Sequence, residues 1–233
     1  MANRRLNKKV ALLGSVIFVV LVLGAILVMF QLSGDPLELI KDAEDALQEA
    51  RQATDEQIKQ QNYERAEASF RGAYASAKTD DLREEVLFKM VDMYLEVEDK
   101  EWPFVLGCWD EIIRINPKNP KARFGRLKYF HILSDSSVGG PWQEVHKQAS
   151  EFLKVAEDAD LFGADTAKWD VFETEQIDTS RLRLGPYLYL LRGRAALEMA
   201  SMGAVTDRDK SLDLAVNDLK KVQEYEPNNI DAY

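Results

Sequence analysis

One spacing of apolar residues recurs along the chain. Residues at i, i+3, i+7 and i+10 share one face of an α-helix, because the helix turns once every 3.6 residues. The spacing therefore predicts amphipathic helices that pack through this face. Its four copies are Tyr63, Ala66, Phe70 and Ala73; Trp102, Val105, Trp109 and Ile112; Trp142, Val145, Ala149 and Phe152; and Leu212, Ala215, Leu219 and Val222.

The four copies are also spaced along the sequence. Their first members lie 39, 40 and 70 residues apart, which indicates a unit near 34 residues with short insertions, the last interval being close to two units. Pro117 and Pro227 each follow the last member of a copy by five residues and end the predicted helix. The chain is therefore predicted to be a helical repeat of loose period.

Further helices are predicted between the copies. Apolar residues keep helical spacing over 82–97, 122–133 and 187–200, and no alternating stretch favours a strand. Asp35, Pro36 and Glu38 form a helix-start signal. We expect an all-α repeat domain over 41–233, with a widened turn near 134–141 and an insertion near 157–185 that either contains a degenerate helix or covers one end of the stack.

Three stretches resemble the tetratricopeptide repeat, whose second helix has a small residue, a large aromatic residue three positions later and a closing proline. They are LDLAVNDLKKVQEYEPNNIDAY, YERAEASFRGAYASAK and WPFVLGCWDEIIRINPKNPKA. First helices match less closely: Tyr189, Gly193 and Ala196 take the family's aromatic, glycine and second aromatic places, but Arg192 replaces its leucine. The resemblance implies an α-solenoid of antiparallel helix pairs whose curved surface binds protein or peptide partners.

The N-terminal region predicts a membrane anchor. Residues 10–30 contain no charged residue, and a helix of that length spans about 30 Å, the thickness of the bilayer's hydrocarbon core. The apolar run exceeds that of a cleaved signal peptide, and no convincing cleavage site follows it. The basic residues Arg4, Arg5, Lys8 and Lys9 predict a cytoplasmic tail over 1–9. Residues 31–40 would be a juxtamembrane connection, and the repeats would be periplasmic if the cell is bacterial.

Charge divides the chain into two parts. The net charge is −10, and removing the four basic residues of the acid-free N-terminal 34 residues leaves −14 for the rest. An acidic body of this size repels phosphate backbones and anionic headgroups, so we expect no nucleic-acid partner.

Catalytic and cofactor signals are weak. Cys108 is the only cysteine, which excludes an intrachain disulfide and a cysteine-based metal cluster. His131 and His146 have no acid at zinc-site spacing, and Gly139-Gly140-Pro141 lacks the lysine of a phosphate loop. We therefore expect no enzyme activity, no cofactor and no metal.

Basic residues on two predicted first helices are the candidate partner-binding residues. An acidic or carboxylate-ended peptide would pair with them if both helices face the groove. The asparagines of the family's carboxylate-clamp members are missing from both helices, and balancing neighbouring acids is the competing interpretation. The candidates are Lys121, Arg123, Arg126, Lys128, Arg192 and Arg194.

Three hypotheses of function follow from the resemblance and the anchor. The first is a non-catalytic scaffold or adaptor that binds proteins in an envelope complex. The second is an ancillary translocon or chaperone factor, or a mitochondrial outer-membrane import receptor with cytosolic repeats. The third is the regulatory arm of a longer enzyme or sensor.

The last residues bear on where the array ends. Ile230 to Tyr233 follow Pro227 as a new helix would, so we expect the array to continue beyond residue 233 or to be completed by a partner. A last repeat without a polar cap also predicts self-association through the C-terminal repeat.

Overall fold

The computed structural model describes residues 34–97, 102–169 and 183–227, and these residues form α-helices and no strand. The helices are α1 (Pro36–Gln52), α2 (Glu56–Ser76), α3 (Asp80–Glu96), α4 (Trp102–Ile115), α5 (Pro120–Ser136), α6 (Trp142–Asp158), α7 (Leu184–Ser201) and α8 (Arg208–Tyr225), with a short 3₁₀ helix at Ala167–Trp169. The expectation of an all-α protein is confirmed over these ranges.

Side-chain caps fix several helix starts. Asp35 accepts a hydrogen bond from the Leu37 amide and Pro36 is the first residue of α1, as the sequence signal predicts. The first helix thus begins inside the stretch 31–40 that was expected to be a connection. The caps of the other helices are Asp55 for α2, Thr79 for α3, Asn119 for α5 and Asp207 for α8.

The chain divides into two compact units, one ending at Val105 and the next beginning at Leu106. In unit 1, α2 packs against both α1 and α3. The connection between α1 and α2 covers only residues 53–55, so the two packed helices run in opposite directions. The core is formed by residues from all three helices: Ala43, Ala46, Leu47, Ala50, Phe70, Ala73, Val86 and Val91.

Unit 2 is built around α7. This helix packs against α6 and α8, and α5 packs against α6. The core contains Phe124 and Leu127 of α5, Phe152 of α6 and Tyr187 of α7, and the rings of Phe124 and Tyr187 lie 5.5 Å apart. The largest side chains of unit 2 therefore lie between its helices.

The recurring apolar pattern lies largely on buried faces. All four members of its first and third copies are buried, as are Val105, Trp109 and Ile112 of the second. In the fourth copy Ala215 and Val222 are buried, whereas Leu212 and Leu219 are partly buried, as is Trp102. The spacing thus marks helix faces that lie against neighbouring helices.

The widened turn expected at 134–141 is shorter than predicted. Helix α5 continues to Ser136, so the turn covers 137–141. A Cβ at Gly140 would lie 2.4 Å from the Cα of Ser134, and a side chain there would collide with the end of α5.

The described part of the insertion at 157–185 packs onto unit 2. Phe162 lies against Gly185, where an added Cβ would be 2.1 Å from its ring, and its ring centroid is 5.7 Å from that of Tyr189 and 6.0 Å from that of Tyr225. Trp169 is buried 6.1 Å from the Phe124 ring. Residues 159–169 therefore pack against α5, α7 and α8, and they contain a single 3₁₀ turn.

Two predictions fall on residues that are not described. The predicted transmembrane helix at 10–30 and the predicted helix start at Ile230 lie outside the described ranges. Within those ranges no helix combines the length and the apolar character needed to cross a bilayer.

Candidate partner-binding surfaces

The basic residues of α5 face carboxylates of unit 2. Arg126 Nε lies 2.7 Å from Asp110 Oδ1 of α4, and Nη2 lies 3.8 Å from Glu144 Oε1 of α6. Arg123 Nε donates to the carbonyl oxygen of Pro117, and its Nη1 is 3.9 Å from Glu151 Oε2. Burial lowers the pKa of Arg123. These two guanidinium groups are therefore part of the packing of α5.

The lysines of α5 differ in their exposure. Lys128 is only 1% exposed, whereas Lys121 is partly buried in the first turn. A partner on the surface cannot reach the Lys128 side chain without opening the helix packing.

Arg192 of α7 joins two helices through an ion pair. It donates from Nε and Nη2 to the two oxygens of Asp218 on α8, and Asp218 is only 1% exposed. The hydrogen bond to Asp218 raises the pKa of Arg192. Arg192 thus has a local role in holding α8 against α7.

Arg194 lies over the start of α6 and the end of α5. Its Nη2 is 2.7 Å from Asp135 Oδ1, and its guanidinium carbon is 5.2 Å from the centroid of the Trp142 ring. Its Nη1 is 3.4 Å from Nε2 of His131, which is buried. Burial, together with Arg194 and Lys128, lowers the pKa of His131 to about 3. The histidine is therefore neutral at physiological pH.

An acidic partner would have to compete with these contacts. Arg123, Arg126, Arg192 and Arg194 have carboxylates of unit 2 within 4 Å, and Lys128 is buried. These contacts agree with the competing interpretation, in which the basic residues balance the charge of neighbouring acids. The partner-binding role of the six basic residues stays a prediction.

A groove in unit 1 offers a different surface. It lies between α1 and α3 and has a volume of about 340 Å³. Leu47, Phe70 and Met93 close its base and are each at most 6% exposed, and α1 and α3 supply the polar walls. The polar lining consists of Glu44, Gln48, Arg51, Lys89, Asp92 and Glu96.

The cations of this groove are paired with carboxylates. Lys89 Nζ is hydrogen-bonded to Glu44 and lies 3.9 Å from Glu85, and Arg51 Nε lies 2.9 Å from Glu96 Oε2. The hydrogen bond to Glu44 is the largest cause of the raised pKa of Lys89, to which Asp92 also contributes. Both cations are charged at neutral pH and each faces at least one carboxylate.

A second cleft, of about 510 Å³, lies in unit 2 where α6, α7 and the start of α8 meet. Its lining includes His146, Met199, Lys210 and Leu214. Lys210 is paired with Asp207 at 2.9 Å, and burial lowers the pKa of His146. Within the described ranges no group of three histidine, cysteine or carboxylate side chains could hold a metal ion.

Sequence patterns did not predict the groove of unit 1. Helix α1 repeats the apolar spacing at Ile40, Ala43, Leu47 and Ala50, a copy that was not singled out, and most groove residues of α1 and α3 are charged residues in an acidic stretch. The helix start at Asp35 and Pro36 predicted a helix before the first copy named above, but not that its charged face lines a groove.

No protein-family model, curated protein or solved structure matches this chain.

Proposed function

We propose that this protein is a membrane-anchored, non-catalytic scaffold or adaptor built of tetratricopeptide-like helix pairs, and that it binds a protein partner in the groove between α1 and α3. The anchor would be the apolar stretch 10–30. The repeat domain would be periplasmic if the cell is bacterial, and the partner a component of an envelope complex.

The supporting observation is the groove itself. Its walls come from α1 and α3, which are the first helices of successive pairs if α2 and α4 are the second helices. First helices line the binding surface of helical-repeat proteins of this kind. The groove has apolar positions at its base and hydrogen-bonding side chains along its walls, as expected for a surface that receives a peptide segment. The ion pairs of Glu44 with Lys89 and of Arg51 with Glu96 join the two walls.

Site-specific photocrosslinking tests the proposal. A photoreactive phenylalanine analogue replaces Gln48, which lines the groove, in the full-length protein expressed in its native membrane. The matched control carries the same analogue at Gln61, an exposed residue of α2 outside the groove. We expect light-dependent adducts of defined mass from position 48 and not from position 61. Equal labelling from both positions, or none from position 48, would contradict the proposal.

A further inference from the structure

We infer that the groove between α1 and α3 selects a basic, amphipathic segment of its partner, with lysine or arginine side chains on the groove walls and an apolar side chain at the base. This inference rests on the proposed function and adds the chemical class of the partner. The basic residues of α5 and α7 suggested an acidic partner, whereas this groove favours a basic one.

The groove between α1 and α3 carries more negative than positive charge. Lys89 has three carboxylates around it, those of Glu44, Glu85 and Asp92. Arg51 is bound by Glu96. The groove lining thus has two cations and three carboxylates, and the surplus is negative. An incoming anion would have to displace a carboxylate, whereas an incoming cation adds to a site that already favours positive charge.

The surroundings of the groove are also strongly negative. Residues 34–97 contain 16 acidic and eight basic side chains, a net charge of −8. A surface of this sign accelerates the approach of cationic segments and repels acidic ones. The groove therefore lies within a field that agrees with its local charge.

The base of the groove is apolar. Leu47 of α1, Phe70 of α2 and Met93 of α3 line the groove, and each is at most 6% exposed, so together they form its floor. Charge alone would attract any polycation, whereas an apolar base between charged walls favours a segment that has apolar and basic side chains on one face. The expected ligand is therefore amphipathic.

The test measures peptide binding to the full-length protein in nanodiscs of zwitterionic lipid. One probe is a short fluorescent peptide of lysine, leucine and alanine, and the other has every lysine replaced by glutamate. Binding to empty nanodiscs is subtracted. We expect saturable binding of the lysine peptide that weakens as salt is raised, and much weaker binding of the glutamate peptide.

Two double variants separate the groove from the general field. Glu44→Gln with Asp92→Asn removes two carboxylates from the groove. Asp42→Asn with Glu64→Gln removes the same charge from exposed positions outside it. We expect the dissociation constant of the lysine peptide to rise about tenfold in the groove variant and about twofold or less in the control.

The outcomes distinguish this inference from the proposed function. Equal weakening by the two variants, or tighter binding of the glutamate peptide, would overturn the inference while adducts from position 48 would still support a partner in the groove. Loss of both the peptide binding and those adducts would overturn both.

Discussion

Arg192 and Asp218 connect the last two described helices by two parallel hydrogen bonds, Nε to Oδ2 at 2.7 Å and Nη2 to Oδ1 at 2.8 Å. The Tyr189 ring lies beside the pair, 5.5 Å from the guanidinium carbon of Arg192 and 4.4 Å from the ammonium nitrogen of Lys221. A buried carboxylate needs such a partner, because its charge loses hydration when the helices pack. The pair therefore joins α7 to α8 at a buried position.

Removing one member of this pair should destabilise unit 2. We expect Asp218→Ala to lower the free energy of unfolding by about 2–4 kcal/mol, because it leaves the Arg192 guanidinium partly buried without its carboxylate. Urea denaturation of the detergent-solubilised protein, followed by circular dichroism, measures the change. Lys210→Ala removes an exposed pair with Asp207 and should cost less than about 1 kcal/mol. Similar losses in both variants would contradict a special role for the buried pair.

Gly125 permits the close approach of α4 and α5 in unit 2. A Cβ at this position would lie 2.6 Å from the Trp109 ring, which is buried and cannot move freely. We expect Gly125→Ala to lower the free energy of unfolding by about 1–3 kcal/mol through overpacking. Gly107→Ala in α4 is the matched control: its Cβ would meet nothing within 4 Å, so higher helix propensity should stabilise the protein by about 0.5–1 kcal/mol. Calorimetric melting of both variants should show opposite shifts.

His131 should make stability depend on pH. Its pKa is lowered to about 3 in the folded protein, against about 6.5 when unfolded, so the unfolded chain binds the proton first as pH falls. Stability is therefore lost from about pH 6.5 downward, at up to about 1.4 kcal/mol per pH unit. The facing charges are Lys128 and Asp135 on α5 and Arg194 on α7.

The comparison of His131→Gln with His146→Gln isolates this effect. Denaturation at pH 7 and pH 5 should show a loss of about 2 kcal/mol on acidification for the wild type, and a clearly smaller loss for His131→Gln. His146 is less buried, and its pKa is lowered in the same direction, so His146→Gln should retain most of the loss. If the pH dependence of stability is unchanged in His131→Gln, this histidine does not cause the loss of stability at low pH.

Phe162 should hold the segment after α6 against α7. Its carbonyl accepts from the Gly185 amide at 2.9 Å, and the Leu184 amide donates to the Ala164 carbonyl at 3.0 Å. We expect Phe162→Ala to speed hydrogen exchange at the amides of residues 184 and 185, because the side chain that covers this backbone is lost. Exchange in α2 serves as the internal reference. Unchanged protection at the start of α7 would mean that Phe162 does not hold this segment.

The sequence predicts the helices of this protein better than it predicts its surfaces. The spacing of Phe70, Trp109 and Phe152 marks helix faces because burial of one face imposes a helical period on the sequence. Helix α1 has the same spacing at Ile40, Ala43, Leu47 and Ala50, all of them buried, but it has no aromatic member and was not singled out. The start of α1 could be predicted because Asp35 and Pro36 favour a helix start through their own first turn.

The roles of charged residues could not be predicted from spacing. Arg192 and Asp218 are 26 residues apart, and their contact depends on how α7 packs against α8. The groove of unit 1 likewise combines side chains of α1 and α3 that become neighbours only through packing on α2. The net charge of the chain indicated that it repels anions. The place where surplus carboxylates gather could be found only from the three-dimensional structure.

The predicted anchor can be tested independently of the groove. Residues 10–30 should hold the full-length protein in membranes that have been washed with alkaline carbonate. Because α1 starts with its own cap at Asp35, deletion of residues 1–33 should release a soluble protein whose circular dichroism is that of a helical fold. Val20→Arg places a charge at the centre of the apolar stretch, at a cost of about 3 kcal/mol for insertion, and should lower the membrane-bound fraction. The matched control Val20→Leu should leave it unchanged. Carbonate-resistant attachment of the shortened protein would contradict an anchor at 10–30, since the attachment would then come from elsewhere in the chain.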